Sequence, residues 1–212
     1  MSGRFFDPTN SYWSWLGKLT DVLALSLLWT FLSLPLFTLG AATTALYDSV
    51  AHCVRGGEAQ PYARFFRTFK AEFKLSALTT LVWGVFLWVA FTGYRILYAV
   101  ALERPSMAVP AIAYGIALVL PVGAACWLFP LLSRFTFSFR GLSFTAFQFT
   151  LAHLPSTVAL VVILLGGVIL CLRFPVFLLV VPCTAAWLFS LFVERAFRKH
   201  LPEPEEESDT DA

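Results

Sequence analysis

Residues 105–133 read PSMAVPAIAYGIALVLPVGAACWLFPLLS, with no Asp, Glu, Lys, Arg or His. A helix needs about 20 residues to cross the hydrocarbon core of a bilayer, and in lipid the backbone can satisfy its own polar groups only by closing a helix or a barrel. The stretch therefore reads as a membrane span. Four more runs lack ionisable residues in the same way: 22–47, 75–94, 154–172 and 174–193. The pattern predicts an all-α polytopic membrane protein with about five spans, near 20–39, 75–98, 108–131, 155–172 and 175–194. The last two are joined by a tight turn at Arg173-Phe174-Pro175.

Composition agrees. Of 212 residues, 58% are apolar and only 13% charged, about half the usual globular share of charge. Such a chain can bury too much apolar surface to be disordered. The formal net charge of +2 conceals an asymmetry. The last residues hold Glu203, Glu205, Glu206, Glu207, Asp209 and Asp211, so positions 1–200 form a basic membrane domain and 201–212 an acidic, disordered tail. The basic residues are scattered between apolar spans, which argues against a nucleic-acid partner. Cys53, Cys126, Cys171 and Cys183 show neither ligand nor disulfide spacing, so they read as small hydrophobes.

The basic residues also orient the five spans. Arg4, Lys18, Arg95, Arg104 and Arg173 fall on one side. Arg55, Arg64, Arg67, Lys70, Lys74, Arg134, Arg140, Arg195, Arg198 and Lys199 fall on the other. The richer side is cytoplasmic by the positive-inside rule. With five spans this puts the N-terminus outside and the C-terminus inside a plasma membrane. Asp48 and His52 argue that 41–55 does not re-cross; a crossing there would reverse this assignment. Tyr12, Trp13, Trp15, Trp83, Trp88, Tyr94 and Tyr98 read as interface anchors.

Two further segments predict interfacial helices. At helical spacing, Tyr62, Phe65, Phe66, Phe69 and Phe73 share one arc of 61–74, while Arg64, Arg67, Lys70 and Lys74 share another. Such a helix lies in the headgroup plane, and Arg64, Phe65, Phe66, Arg67, Phe69, Lys70, Phe73 and Lys74 are the candidate partner-docking residues. Residues 141–153 are similar but uncharged, with Phe144, Phe147 and Leu151 facing one way and Phe149 the other. The halves echo each other: Gly40-Ala41-Ala42 and Gly123-Ala124-Ala125 each follow an apolar run containing proline, and Ser76 and Ser156 open the next span. A parallel internal repeat is expected from this.

The richest local signal is the break at Ser33-Leu34-Pro35. Proline removes a backbone donor and clashes with the preceding turn. Pro35, Thr38, Gly40, Thr43, Thr44 and Tyr47 form the candidate helix-break site, with threonine hydroxyls available to the freed carbonyls. Asn10 to Trp13, the segment from Leu34 through Gly40 to Tyr47, and Phe65-Phe66-Arg67-Thr68-Phe69-Lys70 together resemble the YesL-like proteins, small bacterial integral membrane proteins of unknown function. The resemblance implies a Gram-positive plasma-membrane protein encoded beside carbohydrate importers and sugar-utilisation genes. It brings no catalytic residues.

Chemistry is sparse. His52, His153 and His200 are the only histidines, no nucleophile-elbow, zinc-protease or phosphate-loop motif is present, and no carboxylate lies deep in a span. Asp21, Asp48 and Glu194 read as solvated residues at span ends. No enzyme activity and no cofactor are expected. Besides the lipid bilayer, the expected partners are carbohydrate ABC transporter subunits or a sugar-sensing kinase, the protein acting as their accessory or regulatory subunit. The other reading is a small stand-alone or oligomeric transporter.

Overall fold

The computed structural model describes residues 11–135 and 138–198, with side chains from Gly17 to Ala196. The acidic tail, Lys199 and His200, and the side chains of Tyr12, Trp13 and Trp15 lie outside the described residues. Seven α-helices follow in order: α1 Ser11–Leu32, α2 Leu39–Ser49, α3 Pro61–Glu103, α4 Ala108–Arg134, α5 Phe139–Ala152, α6 Leu154–Arg173 and α7 Val181–Arg198. No strand occurs among the described residues.

Proline sets most of the boundaries. A residue before proline is driven out of helical backbone, and Arg104 (φ −127°, ψ 101°) and Phe174 (φ −140°, ψ 93°) end α3 and α6 this way. Pro61 opens α3 at its first position, where its missing N–H costs nothing. Pro121 and Pro130 instead lie inside α4 without ending it.

Three helices, 61–103, 105–134 (taking in the turn before α4) and 154–173, are long and apolar enough to cross a membrane. Only 17% of the most apolar stretch of α3 and of α6 is buried within the protein, a surface compatible with a lipid bilayer. The other two expected spans take a different form. The first ends at Leu32, and 175–194 is a short 3-10 turn, Pro175–Leu179, followed by α7.

The larger departure concerns 61–74. It does not form a separate interfacial helix. It is the first third of one uninterrupted 43-residue helix, about 65 Å long at 1.5 Å per residue. Part of its aromatic face is covered by protein, Phe65 and Phe69 packing in the cluster that α2 shares with α1, while Tyr62 and Phe66 stay exposed. Leu39–Ser49 is the most enclosed element of the fold, with nine of its eleven residues buried. Its alanines and glycine allow the close helix approach that small side chains permit.

α2 also runs antiparallel to α1. Trp29 Nε1 donates to Thr43 Oγ1 at 3.1 Å, and Leu25, Leu46, Val50, Phe65 and Cys183 form one cluster. A second cluster centres on Trp127, Leu128 and Leu131 of α4, with Leu142, Leu160 and Val193. Trp83 belongs to it, donating to Ser143 Oγ at 3.2 Å, so this residue is core rather than an interface anchor. Trp88 is 70% exposed. In α5, Phe144, Phe147 and Leu151 face outward while Phe149 packs on Trp127 with ring centroids 5.4 Å apart.

The α1–α2 hairpin gives the fold a polar end. Asp21 of α1 accepts from the Tyr62 hydroxyl at 2.7 Å, at the start of α3. Arg55 donates to the Ser190 carbonyl of α7 at 3.0 Å, and Arg134 pairs with Glu194. Asp21 of α1, the start of α3 and Glu194 of α7 thus belong to one polar end of the fold.

Candidate functional site

The break after α1 is built around Pro35. Pro35 stands extended (φ −75°, ψ 117°) before a 3-10 turn, Leu36–Thr38. The Thr38 hydroxyl donates across the gap, to the Leu32 carbonyl and to the Pro35 carbonyl at 2.7 Å. Thr43 and Thr44 do not serve freed carbonyls of α1; they bond one turn back within α2, to Leu39 and Gly40 at 2.7 and 3.0 Å. Gly40 is where α2 touches α3. A β-carbon there would lie 2.8 Å from the Ser76 carbonyl oxygen and 2.7 Å from the Phe129 ring, and inside the Thr80 hydroxyl. Thr44 then meets Ser76, with the two hydroxyl oxygens 3.5 Å apart. Tyr47 is buried against α4 with no hydrogen-bond partner for its hydroxyl. Burial, reinforced by nearby Glu194, pushes its phenol well above the ordinary value, so it remains a neutral hydroxyl.

One turn below, α2 carries a charge. Asp48 is 4% exposed, not a solvated span end. Arg64 grips it with a fork, Nε to Oδ2 at 2.9 Å and Nη2 to Oδ1 at 3.2 Å. Thr68 Oγ1 donates to Oδ2 at 2.7 Å, and His52 Nδ1 lies 3.0 Å from Oδ1 and 3.0 Å from the Asp48 carbonyl. Both neighbours of Nδ1 are acceptors, so that nitrogen carries the proton. The carboxylate thus receives three donors, two on Oδ2 and one on Oδ1. Glu58 holds the outer side of Arg64. The loop between the helices is tightly wound: α2 ends in a π-helical turn, Val50–Arg55, and Gly57 and Gln60 adopt positive φ of 77° and 67°.

The docking residues expected on 61–74 are therefore divided. Arg64 and Phe65 point into the protein, to Asp48 and to the α1–α2 cluster. Phe69 and Phe73 are half-buried, while Phe66, Arg67, Lys70 and Lys74 are exposed.

All of these groups fall within one stretch of chain. Residues 22–94 match the model of a protein family described as "Protein of unknown function, DUF624". This is the YesL-like family. No match to the chain was found among curated proteins or among solved structures. The YesL-like stretch takes in the break, the whole of α2 and the part of α3 that braces it. Among the described residues, no group of three or more His, Cys, Asp or Glu is placed to hold a metal ion.

The Asp48 brace was missed by sequence reasoning, which took 41–55 as a connector. A signal existed. Asp48 and Thr68 lie ten residues either side of Glu58, the spacing that brings side chains level across a helical hairpin closing at Gly56-Gly57.

Proposed function

We propose that this YesL-like protein is a non-catalytic accessory or regulatory subunit in the plasma membrane, serving carbohydrate ABC import or sugar-utilisation sensing. The single observation that carries the non-catalytic part is the commitment of buried Asp48 to Arg64 and Thr68. A buried, forked pair of this kind acts as a brace. The brace holds a rigid, exposed polar loop, and that loop with Tyr62 and Phe66 is the surface offered to a partner. The sugar context rests on the YesL-like resemblance. Affinity purification from native membranes tests it: an importer subunit or a sugar-sensing kinase should co-purify, and Phe66→Glu combined with Glu58→Lys should remove it. Purification without any such partner overturns the proposal.

The polar end faces the cytoplasm. Among the described residues it holds Lys18, Arg55, Arg64, Arg67, Lys70, Lys74, Arg134, Arg140, Arg195 and Arg198, against Arg95, Arg104 and Arg173 elsewhere. This asymmetry supports a cytoplasmic location for both the start of α1 and the end of α7. In a background without native cysteines, Ser106→Cys should react with a membrane-impermeant maleimide on whole cells, and Ala59→Cys only after permeabilisation. The reverse pattern inverts the orientation.

A second reading, a small transporter, is favoured by one observation. Gly123 sits against Thr157 as Gly40 sits against Ser76. Four residues after each glycine a polar contact returns to the same partner, Thr44 to Ser76 and Trp127 Nε1 to Thr157 Oγ1 at 3.0 Å. The parallel supports the internal repeat, and repeats are common in transporters. Solute flux in proteoliposomes containing this chain alone would favour that reading; an absence of flux for a panel of sugars would favour the accessory role.

A further inference from the structure

Two groups stand out among the basic residues of the polar end. Arg55, Arg64 and Arg134 are committed to Ser190, to Asp48 and Glu58, and to Glu194. Arg67, Lys70 and Lys74 are exposed, and none of the three makes a hydrogen bond or ion pair among the described residues. At about 100° per residue they share one face of α3. Glu72, the only acid of α3 before the last turn, lies about 170° away on the same winding. Among the described residues, the face therefore carries three positive charges with no countercharge paired to them.

The same outward face continues up the helix as Leu78, Leu81 and Val85, which are 48%, 60% and 57% exposed. Lys74 and Leu78 are one turn apart, about 6 Å along the axis. α3 is unbroken through this junction, so cation and aliphatic side chains are stacked on one rigid surface. Such an order matches one kind of molecule, with a negative headgroup above and hydrocarbon below. An acidic protein surface would find the charges but would leave the aliphatic continuation without a counterpart.

We infer that the Arg67–Lys70–Lys74 stripe of α3 is a binding site for an anionic phospholipid, its headgroup on the three cations and an acyl chain along Leu78, Leu81 and Val85. Juxtamembrane cations attract anionic headgroups, and the attraction weakens with salt. The site is independent of any protein partner, which the polar loop with Tyr62 and Phe66 would engage.

Native mass spectrometry of the full chain, released from detergent containing equal phosphatidylglycerol and phosphatidylcholine, tests the inference. The wild-type protein should retain phosphatidylglycerol in preference. Arg67→Gln/Lys70→Gln/Lys74→Gln should lower that retention by about tenfold or more, while Arg140→Gln/Arg195→Gln leaves it unchanged. Arg67→Lys should retain the lipid, and circular dichroism on each variant checks that helicity is intact. Equal retention of the two lipids by the wild type, or undiminished phosphatidylglycerol on the folded triple variant, overturns the inference. So does a triple variant that keeps its lipid and loses a co-purifying protein, which would make the stripe a protein-docking face.

Discussion

Arg64→Ala should destabilise the protein by about 3–5 kcal/mol, the largest effect expected of any single polar substitution in the chain. The substitution removes both arms of the fork and leaves Asp48, 4% exposed, with Thr68 as its remaining donor and the His52 ring 3.0 Å away. A buried charge that loses its countercharge bears its desolvation cost almost alone. Thermal unfolding of the detergent-solubilised protein, followed by size-exclusion chromatography, measures the loss. The double variant Asp48→Ala/Arg64→Ala separates brace from bulk. Removing both charges should recover much of the stability lost with Arg64 alone, giving a coupling energy above about 1 kcal/mol. Additive losses would show that the pair is not coupled.

Gly40→Ala should cost about 1–3 kcal/mol, although alanine is the better helix former by nearly 1 kcal/mol. The sign follows from what the new methyl meets. Thr80 can rotate, but the Ser76 carbonyl 2.8 Å away is helix backbone and Phe129 closes the third side. α2 would have to move off α3, loosening Thr44 from Ser76. Gly123→Ala meets only the side chains of Thr157 and Thr150, so it should be the milder substitution. Melting temperatures of the two variants, measured side by side, test the order. A Gly40→Ala protein as stable as wild type would mean that α2 is not seated as described.

The apolar runs made α4 and α6 legible nearly to their ends, because proline and the cost of charge in hydrocarbon act locally. The break at Pro35 and the part Thr38 plays there could be read for the same reason. Other features depended on partners that local pattern does not name. Tyr62, Phe65, Phe69 and Phe73 form an amphipathic arc whether it faces lipid or another helix, and nothing within 61–74 distinguishes the two. Asp48 looked solvated because a carboxylate near a helix end usually is. Its burial depends on Arg64 arriving from across a loop, and that pairing appears only once 39–55 is treated as a helix. Treating 41–55 as a connector likewise hid the α1–α2 hairpin.

The brace also bears on the order of events during synthesis. Asp48, His52, Arg64 and Thr68 lie within twenty-one consecutive residues, so their closure involves a small loop and little entropy. The nascent chain can neutralise its one buried acid in α2 as soon as the first turns of α3 have emerged, before α4 exists. The other polar links of that end wait for the last helix, since Arg55 must meet Ser190 and Arg134 must meet Glu194. A ribosome stalled after α3 would hold a hairpin already safe to leave beside lipid, while a chain truncated before α7 would leave two arginines without their partners. Quality control that detects unpaired cations would therefore register loss of the C-terminal helix and overlook much of what lies between.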